Sequence, residues 1–335
     1  MVSIKDIAAR CNVSAATVSK SLNGHRDISQ ETRMRVCQTA HQMGYLPNSA
    51  ARALKTNRTY NIGVLFVDKT HSGLRHEYFS TVLDSVKVEA ERLGYDITFI
   101  SQNIGQRPMS YYEHCRYRGC DGVVTASIDF KDPGFLELVE SDIPVVTIDH
   151  VFNNRTAILS DNIKGIRDLV LYIHQCGHRK IALIHGENTS VTQKRMASFY
   201  RTCEELEIDV PEAYVRQAFY HDPRSSGRAT RELLALADRP TCIMYPDDFS
   251  FIGGMNEIEK AGLHIPDDIS VTGYDGIYLS QVLRPRLTTL RQDTDGLGRE
   301  AVERLVEMIE HPKTALPRQV LVEGELLEGG SVKKL

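Results

Sequence analysis

The sequence predicts two parts, a small all-α head and a larger α/β body made of two doubly wound lobes. Residues 1–60 contain short stretches with apolar residues at helical spacing, separated by polar turns. From residue 61 onward, apolar strands alternate with amphipathic helices, and this alternation repeats after residue 161. A chain of 335 residues, 41% of them hydrophobic, is long enough for such a division.

The first predicted helix has its apolar residues on one face, at Ile4, Ile7, Ala8 and Cys11. Ser3 precedes this stretch, and its hydroxyl can accept a hydrogen bond from an amide of the first turn that has no partner within the helix. The spacing therefore predicts a short helix that begins directly after Ser3.

A second and a third helix follow in the head. Ser14 can cap the second helix, whose buried face consists of Val18 and Leu22. Ser29 can cap the third helix, which extends to Gly44. Two short helices joined by a tight polar turn are typical of a helix-turn-helix.

The charge of the head differs in sign from that of the rest of the chain. Residues 1–60 hold nine Lys or Arg and three Asp or Glu, a net charge of +6, whereas the remaining residues carry −10. A small basic head on an acidic body indicates nucleic-acid binding by the head alone. The alternative is a helical domain with a solvated basic face.

A series of ordered motifs makes the head recognisable. They are Ile4-Lys5-Asp6-Ile7-Ala8, Val13-Ser14, Thr17-Val18-Ser19, Leu22-Asn23-Gly24, Ser29-x-Glu31-Thr32-Arg33, Met43-Gly44-Tyr45-x-Pro47-Asn48 and Ala51-Arg52-Ala53-Leu54. They closely resemble the head of the lactose/galactose repressor family of bacterial transcription regulators, and the resemblance continues to about residue 330. It implies a dimeric, ligand-responsive DNA-binding regulator, most often a repressor, with a body like that of periplasmic binding proteins.

The resemblance also implies a division into domains. It places a DNA-binding domain at 1–47, a hinge helix with linker at 48–60, and an effector-binding and dimerisation domain at 61–335. In this family fold the chain crosses between the lobes near 161–163, 290–293 and 320–322. The expected N-lobe then spans about 61–161 and 292–320, and the expected C-lobe spans about 162–291 and 321–332.

The residues expected to contact DNA lie mainly at the start of the second helix. Alanines there can make only apolar contacts, Lys20 can donate to guanine, and the hydroxyl side chains suit phosphates. The resemblance implies that Leu54, on a hinge helix too short to be stable alone, wedges between base pairs; the plain alternative is a linker residue. The full expected set is Ser14, Ala15, Ala16, Thr17, Ser19, Lys20, Arg26, Leu54 and Lys55.

The residues expected to bind a small molecule follow the strands of the body. In open α/β sheets, ligands bind beyond the carboxyl ends of the strands, and carboxylates with an arginine there suit a polyhydroxylated ligand, most simply a sugar. The resemblance matches most of these positions to effector contacts, with Asp247 standing where relatives carry asparagine. The alternative for each is a surface or cap residue. The expected set is Phe79, Asp149, Asp161, Arg195, Asp247, Asp248 and Asp275.

Other functions are less compatible with the sequence. A sugar-transport binding protein fits the body, but no export signal precedes the basic head. An enzyme would use Asp247-Asp248 as an acid/base pair, yet no partner acid, phosphate loop or zinc signature accompanies it. His114, Cys115 and Cys120 do not match a metal-binding spacing. We therefore expect no catalysis, no metal and no cofactor.

The compartment and assembly are also predicted. No apolar run approaches the length of a membrane span, and the seven scattered cysteines are typical of free thiols in a reducing compartment. We therefore expect a cytoplasmic protein without a membrane partner. A symmetric DNA site predicts a homodimer, because two-fold related heads read two half-sites.

Overall fold

The structure is a computed structural model that describes residues 2–22, 24–25, 27–46, 53, 56, 58–68 and 73–335. The chain forms two compact units, residues 1–59 and residues 60–335. We call the first unit the head and the second unit the body, and each is described by itself.

The head contains three helices, α1 (Ile4–Cys11), α2 (Ala15–Leu22) and α3 (Gln30–Gln42). Each begins after a serine whose hydroxyl accepts from a backbone amide of the first turn, as predicted: Ser3, Ser14 and Ser29. The helices pack around a small apolar core that consists of Ile7, Ala8, Cys11, Val18, Val36 and Ala40.

The first lobe of the body is built on a six-stranded sheet. Its strands are β1 (Asn61–Phe66), β2 (Asp96–Phe99), β5 (Gly122–Ser127), β6 (Val145–Ile148), β7 (Thr156–Ser160) and β13 (Gln319–Val322), and a hairpin of β3 (Asn103–Ile104) and β4 (Arg107–Pro108) lies outside it. The strand order is β13-β7-β6-β5-β1-β2, and all neighbours are parallel.

The second lobe repeats this arrangement. Its strands are β8 (Ile181–His185), β9 (Val215–Gln217), β10 (Cys242–Met244), β11 (Ser270–Asp275), β12 (Thr288–Arg291) and β14 (Glu325–Leu327). The order is β14-β12-β11-β10-β8-β9, and only β14 is antiparallel to its neighbour.

Helices cover both faces of each sheet, so both lobes are doubly wound as predicted. The helices of the first lobe are α4 (Glu77–Arg92), α5 (Tyr111–Arg118), α6 (Pro133–Glu140) and α12 (Thr294–Glu310). Those of the second lobe are α7 (Asn162–Gln175), α8 (Ser190–Glu205), α9 (Pro223–Leu234), α10 (Asp248–Lys260) and the short α11 (Tyr278–Val282). Helices α4 and α12 share one apolar core of the first sheet, and α5 and α6 share the other. The second sheet also has an apolar core on each face. One core includes α7 and α8, and the other includes α9 and α10.

The chain passes between the two sheets three times. The crossings lie between β7 and α7, between β12 and α12, and between β13 and β14. The third crossing comes slightly later than expected, because Leu321 and Val322 still pair with Leu159 and Ser160 of β7. These two residues therefore belong to the first sheet rather than to the second lobe.

Three further expectations concern the chemistry of the chain as a whole. All seven cysteines are free, and five are buried. Among the described residues, no group of three or more His, Cys, Asp or Glu side chains is placed to hold a metal ion. In the same part of the chain, no helix combines the length and apolar character needed to cross a membrane.

Candidate functional site

The start of α2 presents the residues expected to contact DNA. The Ser14 hydroxyl accepts from the Thr17 amide at 3.0 Å and lies 2.9 Å from the Thr17 hydroxyl, so the two polar groups fix the beginning of the helix. Ala15, Ala16 and Lys20 are exposed, whereas Thr17 is half-buried. The helix therefore presents small apolar side chains and one cation to the solvent.

An ion pair engages Lys20 within the head. Its ammonium group contacts the carboxylate of Asp27, and both side chains are about half exposed. The hydrogen bond from Lys20 lowers the pKa of Asp27. Sequence reasoning missed this partner, which lies seven residues along the chain. Ser19 is half-buried and has a polar partner, whereas Arg26, Leu54 and Lys55 lie outside the described residues.

The body places a buried arginine at its cleft. Arg195, on α8, is only 8% exposed. Its Nε donates to Asn162 Oδ1 at 2.7 Å, and Nη1 donates to the carbonyl of Pro246 at 2.9 Å. The guanidinium carbon lies 3.5 Å from the ring centroid of Tyr274, a cation–π contact. Among the described residues, no carboxylate oxygen lies within 4.0 Å of this guanidinium, so the groups in direct contact with this buried charge are neutral.

Asp149 follows β6 at the carboxyl end of the first sheet. Its backbone has a positive φ of 57°, which is rare for a residue with a side chain. Oδ1 accepts from the Ser160 amide at 2.8 Å, and the Tyr78 hydroxyl lies 3.4 Å from Oδ2. Burial raises the pKa of Asp149 above its ordinary value. The strand-end rule therefore located a carboxylate in a poorly solvated position.

Asp275 ends β11 in the second sheet and shares several of these features. Its φ is 108°, and Oδ1 accepts from Gln292 Nε2 at 2.7 Å. Burial, followed by the negative charge of Asp247, raises the pKa of Asp275 to about 8. The charges of Asp275 and Asp149 both act on Arg195, so the structure brings these three expected residues close to one another.

The adjacent carboxylates Asp247 and Asp248 bind other protein groups. Asp247 caps α10 and accepts from the amide and hydroxyl of Ser250, each at 2.7 Å, and from the His221 amide at 2.8 Å. Asp248 is fully buried and accepts from the Thr289 hydroxyl at 2.6 Å and from the Ile277 amide at 3.0 Å. Burial, and then the charge of Asp275, raise the pKa of Asp248 well above its usual range. Both side chains stabilise loops, which was the alternative for each.

The last two expected residues also have structural contacts. Asp161 caps α7 and accepts from the Lys164 amide at 2.9 Å. The Phe79 ring lies 5.2 Å from the Phe66 ring and 4.7 Å from the His76 ring, between ring centroids. Phe79 thus belongs to an aromatic cluster at the carboxyl end of β1.

The two lobes contact one another across the cleft. The ring of His76, which precedes α4, stacks on the ring of His221 in the second lobe at 3.9 Å, and His221 in turn stacks on Phe249 at 4.0 Å. The Ser190 hydroxyl donates to the Asp149 carbonyl at 3.2 Å. These contacts join the two lobes directly across the cleft.

Sequence reasoning missed several residues that organise the cleft. They are Asn162, Tyr220, His221, Tyr274 and Gln292. Their contacts join segments far apart in the chain, so no local pattern marks them. Position beside a predicted crossing is the one signal that points to Asn162 and Gln292.

Comparison with known proteins identifies the two parts of the chain separately. Residues 3–48 match the family described as bacterial regulatory proteins, lacI family. Residues 170–332 match the periplasmic binding protein-like domain. The fold and these matches define a class of protein in which a helix-turn-helix head is joined to a two-lobed, binding-protein-like body.

Relatives match over the full length of the chain. The probable HTH-type transcriptional repressor ExuR of Bacillus subtilis (strain 168) is 32% identical over 100% of this chain and 99% of its own length. The HTH-type transcriptional repressor PurR of Escherichia coli O139:H28 is 30% identical over 99% of this chain and 97% of its own. The chain belongs to the lacI family of bacterial regulatory proteins. The predicted DNA-binding regulatory function is thereby confirmed over the transport alternative.

Solved structures agree with this assignment. The lac repressor dimer bound to operator and the anti-inducer ONPF superposes with a TM-score of 0.78 at 25% identity, covering 99% of each chain. The transcriptional regulator CelR in complex with cellobiose has a TM-score of 0.72 at 24% identity and covers 99% of this chain and 100% of its own. At this identity, the similarity to CelR supports the fold alone.

Proposed function

We propose that this chain is a repressor that binds a pseudo-palindromic operator as a homodimer, and that a sugar in the cleft controls its affinity for DNA. One observation carries the ligand proposal. Arg195 is buried without a carboxylate partner among the described residues, although Asp149 and Asp275 lie close enough for their charges to act on it. A guanidinium and two carboxyl groups that do not pair directly with one another suit a ligand that offers both donors and acceptors.

The chemistry of a sugar matches these groups. Hydroxyl oxygens accept from the guanidinium, and hydroxyl hydrogens donate to carboxyl oxygens of Asp149 and Asp275. The apolar face of a sugar ring packs on an aromatic side chain such as Phe79. We propose that Phe79, Asp149, Arg195 and Asp275 contact the ligand. In this proposal Asp161 and Asp247 cap helices, and both carboxylate oxygens of Asp248 accept from protein donors, so these three residues hold the surrounding loops.

The head supplies the DNA part of the proposal. We place α2 in the major groove, with Ala15 and Ala16 against thymine methyl groups and Lys20 on guanine. Hydroxyl side chains at 14, 17 and 19 bind phosphates, as does Arg26. Residues 48–60 form the hinge, in which Leu54 and Lys55 contact the minor groove. The lac repressor dimer solved on its operator supports the dimer and the operator.

The cleft binds its ligand without turnover in this proposal. The matched relatives are named as transcriptional repressors, and the adjacent carboxylates of α10 are engaged in capping and loop contacts. The regulator acts in the cytoplasm, because its operator is on bacterial DNA. Release of product from any tested glycoside by the purified protein would contradict this part.

A thermal-shift screen tests the ligand proposal. The purified protein is heated with each of a panel of monosaccharides and disaccharides. A ligand at about a hundred times its dissociation constant stabilises the native state by about 2.7 kcal/mol, which is readily measured. Arg195→Met should abolish the shift, whereas Arg201→Met should retain it, because Arg201 lies on the same helix with a side chain that is 79% exposed. A sugar shift that survives in Arg195→Met would refute the assigned site.

A DNA selection tests the regulatory proposal. Random duplexes bound by the full-length protein should converge on a sequence with approximate two-fold symmetry, and light scattering should give two protomers per duplex. Recovery of unrelated sequences, or of one protomer per duplex, would contradict the proposed operator binding. Because this selection needs no ligand, its result is independent of the sugar screen.

A further inference from the structure

Each of the first two crossings between the lobes carries a buried amide side chain. Asn162 is the first residue of α7, directly after the first crossing, and is 2% exposed. Gln292 follows β12 at the start of the second crossing and is 6% exposed. Burying an amide is costly unless its groups are hydrogen-bonded, so their partners are informative.

Asn162 joins the two lobes through its side chain. Oδ1 accepts from Arg195 Nε at 2.7 Å, and Nδ2 donates to the carbonyl of Ser160 at 3.1 Å. Ser160 ends β7 in the first lobe, and its amide donates to Asp149 at 2.8 Å. A continuous path of hydrogen bonds therefore runs from Arg195 in the second lobe, through the first crossing, to Asp149 in the first lobe.

Gln292 makes the corresponding contact at the second crossing. Nε2 donates to Asp275 Oδ1 at 2.7 Å, and the Gln292 amide donates to the Asp275 carbonyl at 3.2 Å. Among the described residues, the buried Oε1 of Gln292 has no hydrogen-bond partner. An unsatisfied buried acceptor is destabilising, so a state that supplies a donor to Gln292 Oε1 would gain one hydrogen bond relative to this one.

The crossings also contact one another. The Asp161 amide of the first crossing donates to the carbonyl of Val322, at the start of the third, at 2.9 Å. A Cβ on Gly324 of the third crossing would lie 2.6 Å from the Arg291 carbonyl beside the second. The three crossings therefore lie in direct contact with one another.

We propose that Asn162 and Gln292 are positioning residues that transmit occupancy of the cleft to the interlobe crossings. The inference rests on the proposed function, in which Arg195 and Asp275 contact the ligand. A ligand that displaces the Arg195 side chain acts through Asn162 on the first crossing. A ligand that displaces the Asp275 side chain acts through Gln292 on the second crossing. Coupling between the cleft and the DNA-binding head then depends on both amides, because a ligand shifts an equilibrium only through contacts that differ between the states.

Hydrogen exchange on the full-length, ligand-free protein tests the two paths separately. Asn162→Ala and Arg195→Met should each raise exchange in residues 160–166 by about tenfold, and the double variant should add little, because both changes break one path. Gln292→Met should raise exchange in residues 290–297 instead. The control Gln175→Met changes an exposed residue at the end of α7 and should leave both segments unchanged.

Two isosteric variants test the consequence for regulation. Asn162→Asp keeps an acceptor for Arg195 but places an oxygen against the Ser160 carbonyl, and Gln292→Glu places a carboxylate against Asp275. The change in operator affinity caused by the sugar found in the screen should shrink at least about fivefold in each, while sugar-free operator affinity stays within about twofold of the unmodified protein.

The outcomes separate the two proposals. If Arg195→Met leaves exchange in 160–166 unchanged, or raises it equally at both crossings, the positioning inference is overturned even when a sugar binds. Full retention of the sugar response in both isosteric variants would also overturn it. If no sugar stabilises the protein, the ligand proposal fails, but the exchange pattern still decides whether the amides hold the crossings.

Discussion

The ring of His76 in the first lobe stacks on the ring of His221 in the second, with centroids 3.9 Å apart and 19° between the ring planes. Burial, followed by the charge of the neighbouring imidazole, lowers the pKa of His76 to about 4, and burial lowers the pKa of His221. The carboxylates of Asp68 and Asp247 act in the opposite direction but do not reverse these shifts. Both rings are therefore neutral at pH 7, which allows them to stack.

Lowering the pH should reduce the stability of the body, because His76 binds a proton more readily in the unfolded chain than in the folded protein. In the unfolded chain this imidazole has a pKa of 6.5, whereas in the folded protein it has a pKa of about 4, so the folded state binds its proton less readily. Its contribution to the free energy of unfolding is complete above pH 6.5 and falls by about 3 kcal/mol as the pH decreases to 4. Thermal melts between pH 4 and pH 8 measure this loss.

The variant His76→Phe isolates the effect, because it keeps a stacking ring that does not titrate. The difference in melting temperature between the unmodified protein and His76→Phe should change between pH 6.5 and pH 4 and stay constant above pH 7. A constant difference over the whole range would contradict the assignment to His76.

Asp275 should produce the opposite dependence on pH. Its folded pKa of about 8 lies above the ordinary value of 3.8, so its ionisation opposes folding as the pH rises through this interval. Asp275→Asn keeps an oxygen that accepts from Gln292 but cannot ionise. We expect the variant to melt at a higher temperature than the unmodified protein at pH 9, with the difference shrinking towards pH 5. Equal melting temperatures at pH 9 would show that burial does not penalise this carboxylate.

The ion pair between Lys20 and Asp27 should compete with DNA. An exposed ion pair of this kind contributes little to stability, so Lys20 can exchange its partner at low cost. Lys20→Ala should reduce operator affinity and relax the preference at one base pair, by about 1–3 kcal/mol, whereas Asp27→Ala should strengthen DNA binding. Gel-shift titrations on the selected operator and its single-base variants measure both effects.

Lys5→Ala serves as the control for Lys20→Ala, because Lys5 is exposed on α1 and lies outside α2, the helix proposed to enter the major groove. It should weaken binding to all duplexes equally or leave binding unchanged. If both variants lose affinity equally on every duplex, Lys20 acts only through phosphate.

Gly253 should be essential for the packing of α9 against α10. A Cβ at this position would lie 1.7 Å from the Pro223 carbonyl oxygen, which is backbone and cannot rotate away. Gly253→Ala should therefore lower the free energy of unfolding by several kcal/mol, although alanine favours a helix. Denaturant titration measures the loss. Asn256→Ala, an exposed change on the same helix, should change stability by less than about 0.5 kcal/mol.

Local chemistry made two features predictable: the starts of the helices in the head and the residues that follow the strands of the body. Ser3, Ser14 and Ser29 bond to amides only three residues away, so each cap is visible in a short stretch of sequence. The strand-end rule likewise located Asp149 and Asp275, because the carboxyl end of a strand is a property of its own segment.

The sequence by itself determined the two-part architecture, the family and the side chains that approach the cleft. Only the tertiary structure decided what those side chains do. Asp247 and Asp248 are adjacent carboxylates in the sequence, yet each is committed to protein donors supplied by packing. His76 and His221 meet because the two lobes contact one another, and Asn162 and Arg195 meet because α7 and α8 pack side by side. Such contacts depend on the relative placement of whole elements, which local spacing does not encode.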